Sequence, residues 1–136
     1  MQIDPAKEAE ELARIFFALS GAVNEFRLRP ENFNALPPDT RQRLKEQAQA
    51  LAMRGQEYSA DALGAILHAI SPHLQAIKQA TQDAKDALAG LTDVAKGIAI
   101  VDAAVALAGS IVARDVGSIG NNLQNLIEAI HPARKS

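Results

Sequence analysis

The chain reads as an all-α protein, an antiparallel bundle of four to five helices with a central apolar helical hairpin. Three observations predict this. Alanine, the strongest helix former, supplies 27 of the 136 residues, while aromatic residues make up only 4%. Apolar residues recur at steps of three and four through long runs, the period of one helix face. The runs are separated by Asp, Ser, Thr, Pro and Gly at places where helices start and stop.

At this length the expectation is one domain, residues 1–136, with room for a real core. A hydrophobic content of 48% and a charged content of 22% fit a folded soluble protein and not a disordered one. The net charge of −2 is too small to draw nucleic acid or anionic lipid over long range, so no nucleic-acid partner is expected. The absence of cysteine excludes disulfides and thiolate chemistry. The first residues, MQIDPAKEAEELARIFF, are acidic where a secretory signal needs a basic region, which predicts a cytoplasmic protein.

The first helix starts where Asp4 can cap it and Pro5 suits the first turn, with Glu8, Glu10 and Glu11 favouring the positive end of the dipole. Its core stripe is Ala9, Leu12, Phe16, Leu19, Val23 and Phe26, widened by Ala13 and Phe17, and Pro30 stops it near Leu28. In the linker that follows, Phe33 and Leu36 are expected to plug one end of the bundle. A second helix runs from Pro38 or Asp39 to Arg54, with Gly55 as its stop. Its narrow face of Leu44, Ala48, Leu51 and Ala52 predicts an outer position.

Ser59 can cap a third helix with the stripe Leu63, Leu67, Ile70, Leu74, Ile77, Thr81, Ala84 and Leu88. Pro72 interrupts its hydrogen bonding, but the stripe keeps its frame across the proline, which favours one kinked helix over two. Gly90 ends it and Thr92 can cap the fourth, from Asp93 to Arg114, a connection short enough that the third and fourth helices are expected to form the central antiparallel hairpin. This fourth helix is apolar on three sides. Large residues form two stripes, and Ala95, Ala99, Ala106, Gly109 and Ala113 form a third, expected to pack closely against a neighbour. A last helix, Ser118 to Ile130, carries Ile119, Leu123, Leu126, Ile127 and Ile130.

No residues point to catalysis, a cofactor or a metal. His68 and His73 are about 140° apart around a helix and cannot share an ion. Glu128 and His131 have the E-x-x-H spacing of di-iron bundles, but that site needs a second such motif, and there is none. Asp83, Asp86 and Asp93 are interspersed with Lys78, Lys85 and Lys96 and lack a calcium loop. Arg27, Arg29, Arg41, Arg43, Lys45 and Arg54 concentrate positive charge around the first linker and second helix, without the aromatics of a nucleic-acid surface.

Asp102 is the sharpest residue. It is the single charge in the run from Gly97 to Ala113, where a carboxylate is costly unless it is paired or wet, and it is a candidate register or switch residue. The apolar stripes exceed what one small bundle needs, which predicts a protein partner or homo-oligomer. The alternative is a membrane-active protein that inserts helix 93–114 into lipid, although Asp102 disfavours a permanent span.

Overall fold

The computed structural model describes residues 4–57, 67–91 and 93–131. Among these residues there are six helices and no strand: α1 (Pro5–Leu28), α2 (Pro30–Ala35), α3 (Pro38–Glu57), α4 (Leu67–Leu88), α5 (Val94–Ala113) and α6 (Val116–Ile130). The protein is an all-α bundle. The five long helices form a circuit in which α1 packs on α3, α3 on α5, α5 on α6, α6 on α4, and α4 back on α1.

Side-chain contacts fix the directions. Ser20 Oγ donates to the Ala48 carbonyl at 2.6 Å, and Gly55 lies against Ala13, so α1 and α3 are antiparallel. Asn122 Nδ2 donates to the Ala106 carbonyl at 3.1 Å across the tight α5–α6 turn, making these two an antiparallel hairpin. Lys78 on α4 reaches Glu8 and Glu11 near the start of α1, and Arg29 after its end donates to the Leu91 carbonyl at 2.8 Å, so α1 and α4 run parallel.

The core stripe of α1 is buried, and Leu12, Phe16, Leu19, Val23 and Phe26 fully so, but of the two residues expected to widen it Ala13 is half-buried and Phe17 is 41% exposed. Each such side chain contributes roughly 1.5–3 kcal/mol relative to exposure. Asp4 caps the helix, accepting from the Ala6 and Lys7 N–H groups at 3.0 and 3.4 Å. The narrow face of α3 also packs inward through Leu44, Ala48 and Leu51, consistent with an outer helix. α4 is continuous through Pro72, whose ring faces solvent and displaces no core side chain. Ser59 and Leu63 lie outside the described residues.

Several expectations change. The first linker contains a helical turn, α2, because Pro30 presets its first position and Glu31 favours its positive end. Leu36 is buried as predicted, but Phe33 stays 36% exposed with the Arg41 guanidinium 4.2 Å from its ring centre. Gly55 does not stop α3, which continues to Glu57. It is buried where a Cβ would sit 3.3 Å from the Ala13 carbonyl oxygen, so the glycine permits close approach of two helices. Asp93 caps α5 and Asp115 caps α6, each through its own carboxylate, one residue after Thr92 and three before Ser118.

The apolar hairpin is formed by α5 and α6, while α4 and α5, consecutive in the chain, touch sparsely. Nor do Ala95, Ala99, Ala106 and Gly109 form a close-packed helix face, although Asn122 of α6 reaches the Ala106 carbonyl. The three alanines are exposed, and a Cβ on Gly109 would meet nothing within 4 Å. The centre of a five-helix circuit is filled by side chains, so no helix is surrounded. The tight contact on α5 is at Gly97 instead, where a Cβ would lie 2.6 Å from Phe26 Cε1 and closer still to Cζ.

Candidate interaction surface

Ala95, Ala99, Asp102, Ala106, Gly109 and Ala113 advance along α5 by alternating steps of four and three, which places them on one face. Opposite them Gly97, Ile100, Ala104, Leu107 and Ile111 are buried. Ala95, Ala99, Ala106 and Ala113 are exposed, and Gly109 is half-buried. Ile98, Val105 and Val112 border this strip, half-buried, against the core. The result is a shallow apolar seam with one carboxylate near its middle.

That carboxylate is held from α3. Arg43 Nη2 and Gln47 Nε2 donate to Asp102 Oδ1 at 2.9 and 2.6 Å, and the Asp102 side chain keeps 39% of its exposure. Arg43 and Gln47 are four apart on a helix and so reach the same point. Asp102 therefore avoids the cost of an unpaired charge by sitting at the α3–α5 seam with both water and a cation.

A second polar constellation joins α1 to α4. Lys78 Nζ donates to Glu11 Oε2 at 2.6 Å and also contacts Glu8, with 16% of the lysine side chain exposed. Burial pushes the Lys78 ammonium down, but hydrogen bonds to Glu11 and Glu8 outweigh it and hold the group above its usual 10.5. The same hydrogen bond and charge keep Glu11 below its ordinary 4.5. Asp115 is also held low, by hydrogen bonds from the Ser118 hydroxyl and N–H at the start of α6. The Lys78 group ties α1 to α4, and Asp115 caps the start of α6.

The remaining candidates are dispersed. Glu128 accepts from Gln124 at 3.3 Å, while His131 lines an apolar groove of about 200 Å³ between α4 and α6. Asp83 and Asp86 accept from Gln79 and Gln82 one turn earlier. His73 is exposed, and the His68 side chain lies outside the described residues. Among the described residues no three His, Cys, Asp or Glu are placed to hold a metal ion.

A latch that sequence reasoning missed closes one end of the bundle. Asn32, 1% exposed, donates to the Phe26 carbonyl at 3.0 Å and the Leu91 carbonyl at 2.9 Å. With Arg29 on the same Leu91 oxygen, α2 ties the end of α1 to the turn before α5. The signal available in the sequence was Pro30 followed by Glu31, a helix start inside a segment rich in proline.

In comparisons with known protein families, with characterised proteins and with solved structures, the chain matches none. The functional reading therefore rests on its own surface.

Proposed function

We propose that the chain is a non-enzymatic bundle protein that acts through association, with the outer face of α5 receiving a second copy of the chain. The observation that carries the reading is a strip of small residues at four-three spacing left uncovered on the most apolar helix. Small residues at that spacing let two helix backbones approach closely, and a two-fold axis would set the strip against itself. The seam is about 30 Å long and shallow, so by area alone it gives weak association. Ile98, Val105 and Val112 along its edge enlarge the apolar contact. In this reading Asp102, held by Arg43 and Gln47, sets the register of the seam, and the protein is a soluble one of the cytoplasm.

Sedimentation equilibrium tests this with the wild-type chain and Ala106→Glu, a charge placed on an exposed position. Concentration-dependent dimers that Ala106→Glu abolishes support the proposal. A wild type that stays monomeric at high micromolar concentration refutes it.

One observation favours a second reading, in which α5 enters lipid. It is the one helix among the described residues long and apolar enough to cross a bilayer, and 44% of that apolar window is buried. Such a helix would have to leave α3 and α6 and bring Asp102 into hydrocarbon. Flotation with phosphatidylcholine vesicles separates the readings, since the association reading expects the protein to remain in the aqueous fraction.

A further inference from the structure

A basic groove of about 280 Å³ lies where the end of α1, α2 and the start of α3 meet, lined by Arg27, Phe33, Pro38, Arg41, Gln42 and Lys45. Three cations line it and no carboxylate does. Of the six basic residues clustered in this part of the chain, Arg43 is paired with Asp102 and Arg54 with Glu57, and Arg29 is committed to the Leu91 carbonyl. Arg27, Arg41 and Lys45 form no ion pair among the described residues. Like charges grouped without a counter-ion repel weakly through water and salt, and an anion placed among them would relieve that repulsion.

The donors point the same way. Arg27 Nη2 is used by Asn24 Oδ1 at 3.0 Å, which orients the guanidinium, while its buried Nε has no partner. Arg41 is held over the Phe33 ring, and its Nε is likewise buried and unpartnered. Each guanidinium is thus fixed by one neighbour. The buried Nε groups cannot reach a ligand, but Arg27 Nη1 and both Nη groups of Arg41 form no hydrogen bond among the described residues, and exposed Lys45 adds a charge beside them. The groove is at the small end for a ligand site and open to solvent, which suits a compact oxyanion and not an extended cofactor.

We propose that this groove binds a phosphate group, free or as the terminal monoester of a small molecule, with Arg27 and Arg41 supplying fixed donors and Lys45 a third charge. Doubly charged phosphate offers several acceptor oxygens to converging donors and is matched by guanidinium geometry. The site is separate from the α5 face and does not depend on association through it.

Isothermal titration of the 136-residue wild-type chain with inorganic phosphate, and separately with phenyl phosphate, tests the assignment against sodium chloride at matched ionic strength. Saturable one-site binding is expected for a phosphate ligand and not for chloride. Tighter phenyl phosphate would identify the monoester as the better source, and tighter inorganic phosphate the free ion. Lys45→Gln, at an exposed position that leaves the core intact, and Arg41→Gln should each weaken binding roughly tenfold. Arg54→Gln removes the same charge about 14 Å beyond Lys45 along α3 and should leave binding unchanged. Equal losses in Lys45→Gln and Arg54→Gln, or a chloride response matching phosphate, would reduce the effect to overall charge and overturn the proposal. Far-UV circular dichroism on each variant confirms retained helix, and if Arg41→Gln unfolds, Lys45→Gln alone decides.

Discussion

Helices α1 and α5 are both rich enough in apolar residues to be core helices, yet the bundle treats them differently. In α1 the core stripe from Ala9 to Phe26 is buried, and the exposed side carries charge at Lys7, Glu10, Arg14 and Glu25 alongside exposed Phe17 and Leu28. In α5 one face is buried just as completely while the opposite one, equally free of charge except for Asp102, is left outside. A helix in a five-membered circuit is covered by two neighbours and the core between them. Apolar character beyond that arc is surplus to folding. The surplus on α5 consists of alanine and glycine, which expose less apolar area per residue than leucine would and so keep the face tolerable in water.

The sharpest way to break this comparison is at Phe26, where the two helices meet. Phe26→Ala empties a fully buried site at the α1–α5 contact and is expected to cost about 3–5 kcal/mol in a denaturant melt. Glycines on the two faces of α5 should then respond with opposite signs. Gly97→Ala drives a Cβ into the Phe26 ring and should destabilise by about 1–3 kcal/mol. Gly109→Ala meets nothing within 4 Å and gains helix propensity, so it should stabilise by roughly 0.5–1 kcal/mol. Equal effects would mean that the inner and outer faces of α5 are not distinct.

These glycines also mark what was legible in the sequence and what was not. The α1 stripe was readable because Ala9, Leu12, Phe16, Leu19, Val23 and Phe26 share one period, and Lys7, Glu10, Arg14 and Glu25 mark the side away from it. On α5 nearly all positions are apolar, so periodicity carries no direction, and which small residue is packed depends on a partner side chain 71 positions away. Gly97 lies under Phe26, and Gly55 under Ala13 and Phe17, whereas Gly109 faces open space. The sequence requires only that Asp102 be paired or wet; that Arg43 and Gln47 are the groups that reach it follows from the order of helices in the circuit. The basic cluster was visible as composition. Its division into paired and unpaired cations is a product of tertiary contacts alone.

A further test uses the Lys78 constellation, which anchors α1 to α4 and is more deeply buried than the Arg43–Asp102 pair on α5. Glu11 is held below 4.5 in the folded chain, so its contribution is present above that pH and lost as pH falls through the folded value. Lys78 is held above 10.5, so its contribution is present below that pH and lost as pH rises through the folded value. Thermal melts of wild type should therefore fall off at both extremes. In Lys78→Met both limbs should flatten, and unchanged limbs would show that these groups are not the ones that titrate with unfolding.

The smallest effect on stability is expected at the seam itself. Arg43 and Asp102 are 62% and 39% exposed in their side chains, and an ion pair that wet contributes about 0–1 kcal/mol, so Arg43→Ala should leave the melt nearly unchanged. Its consequence for assembly is larger. Without Arg43 the carboxylate in the middle of the apolar strip loses its cation, and bringing two copies together then buries a less compensated charge, which should weaken dimerisation. Asp102→Leu removes the charge altogether and should strengthen dimerisation while the protein stays in the aqueous fraction with vesicles. If α5 instead enters lipid, the same substitution removes roughly 2.5–3.5 kcal/mol of insertion penalty, and vesicle binding rises. Sedimentation and flotation of the two variants beside wild type thus distinguish the uses of the outer face. Identical behaviour of all three in both assays would make that face an inert surface and leave the contrast between α1 and α5 a matter of packing alone.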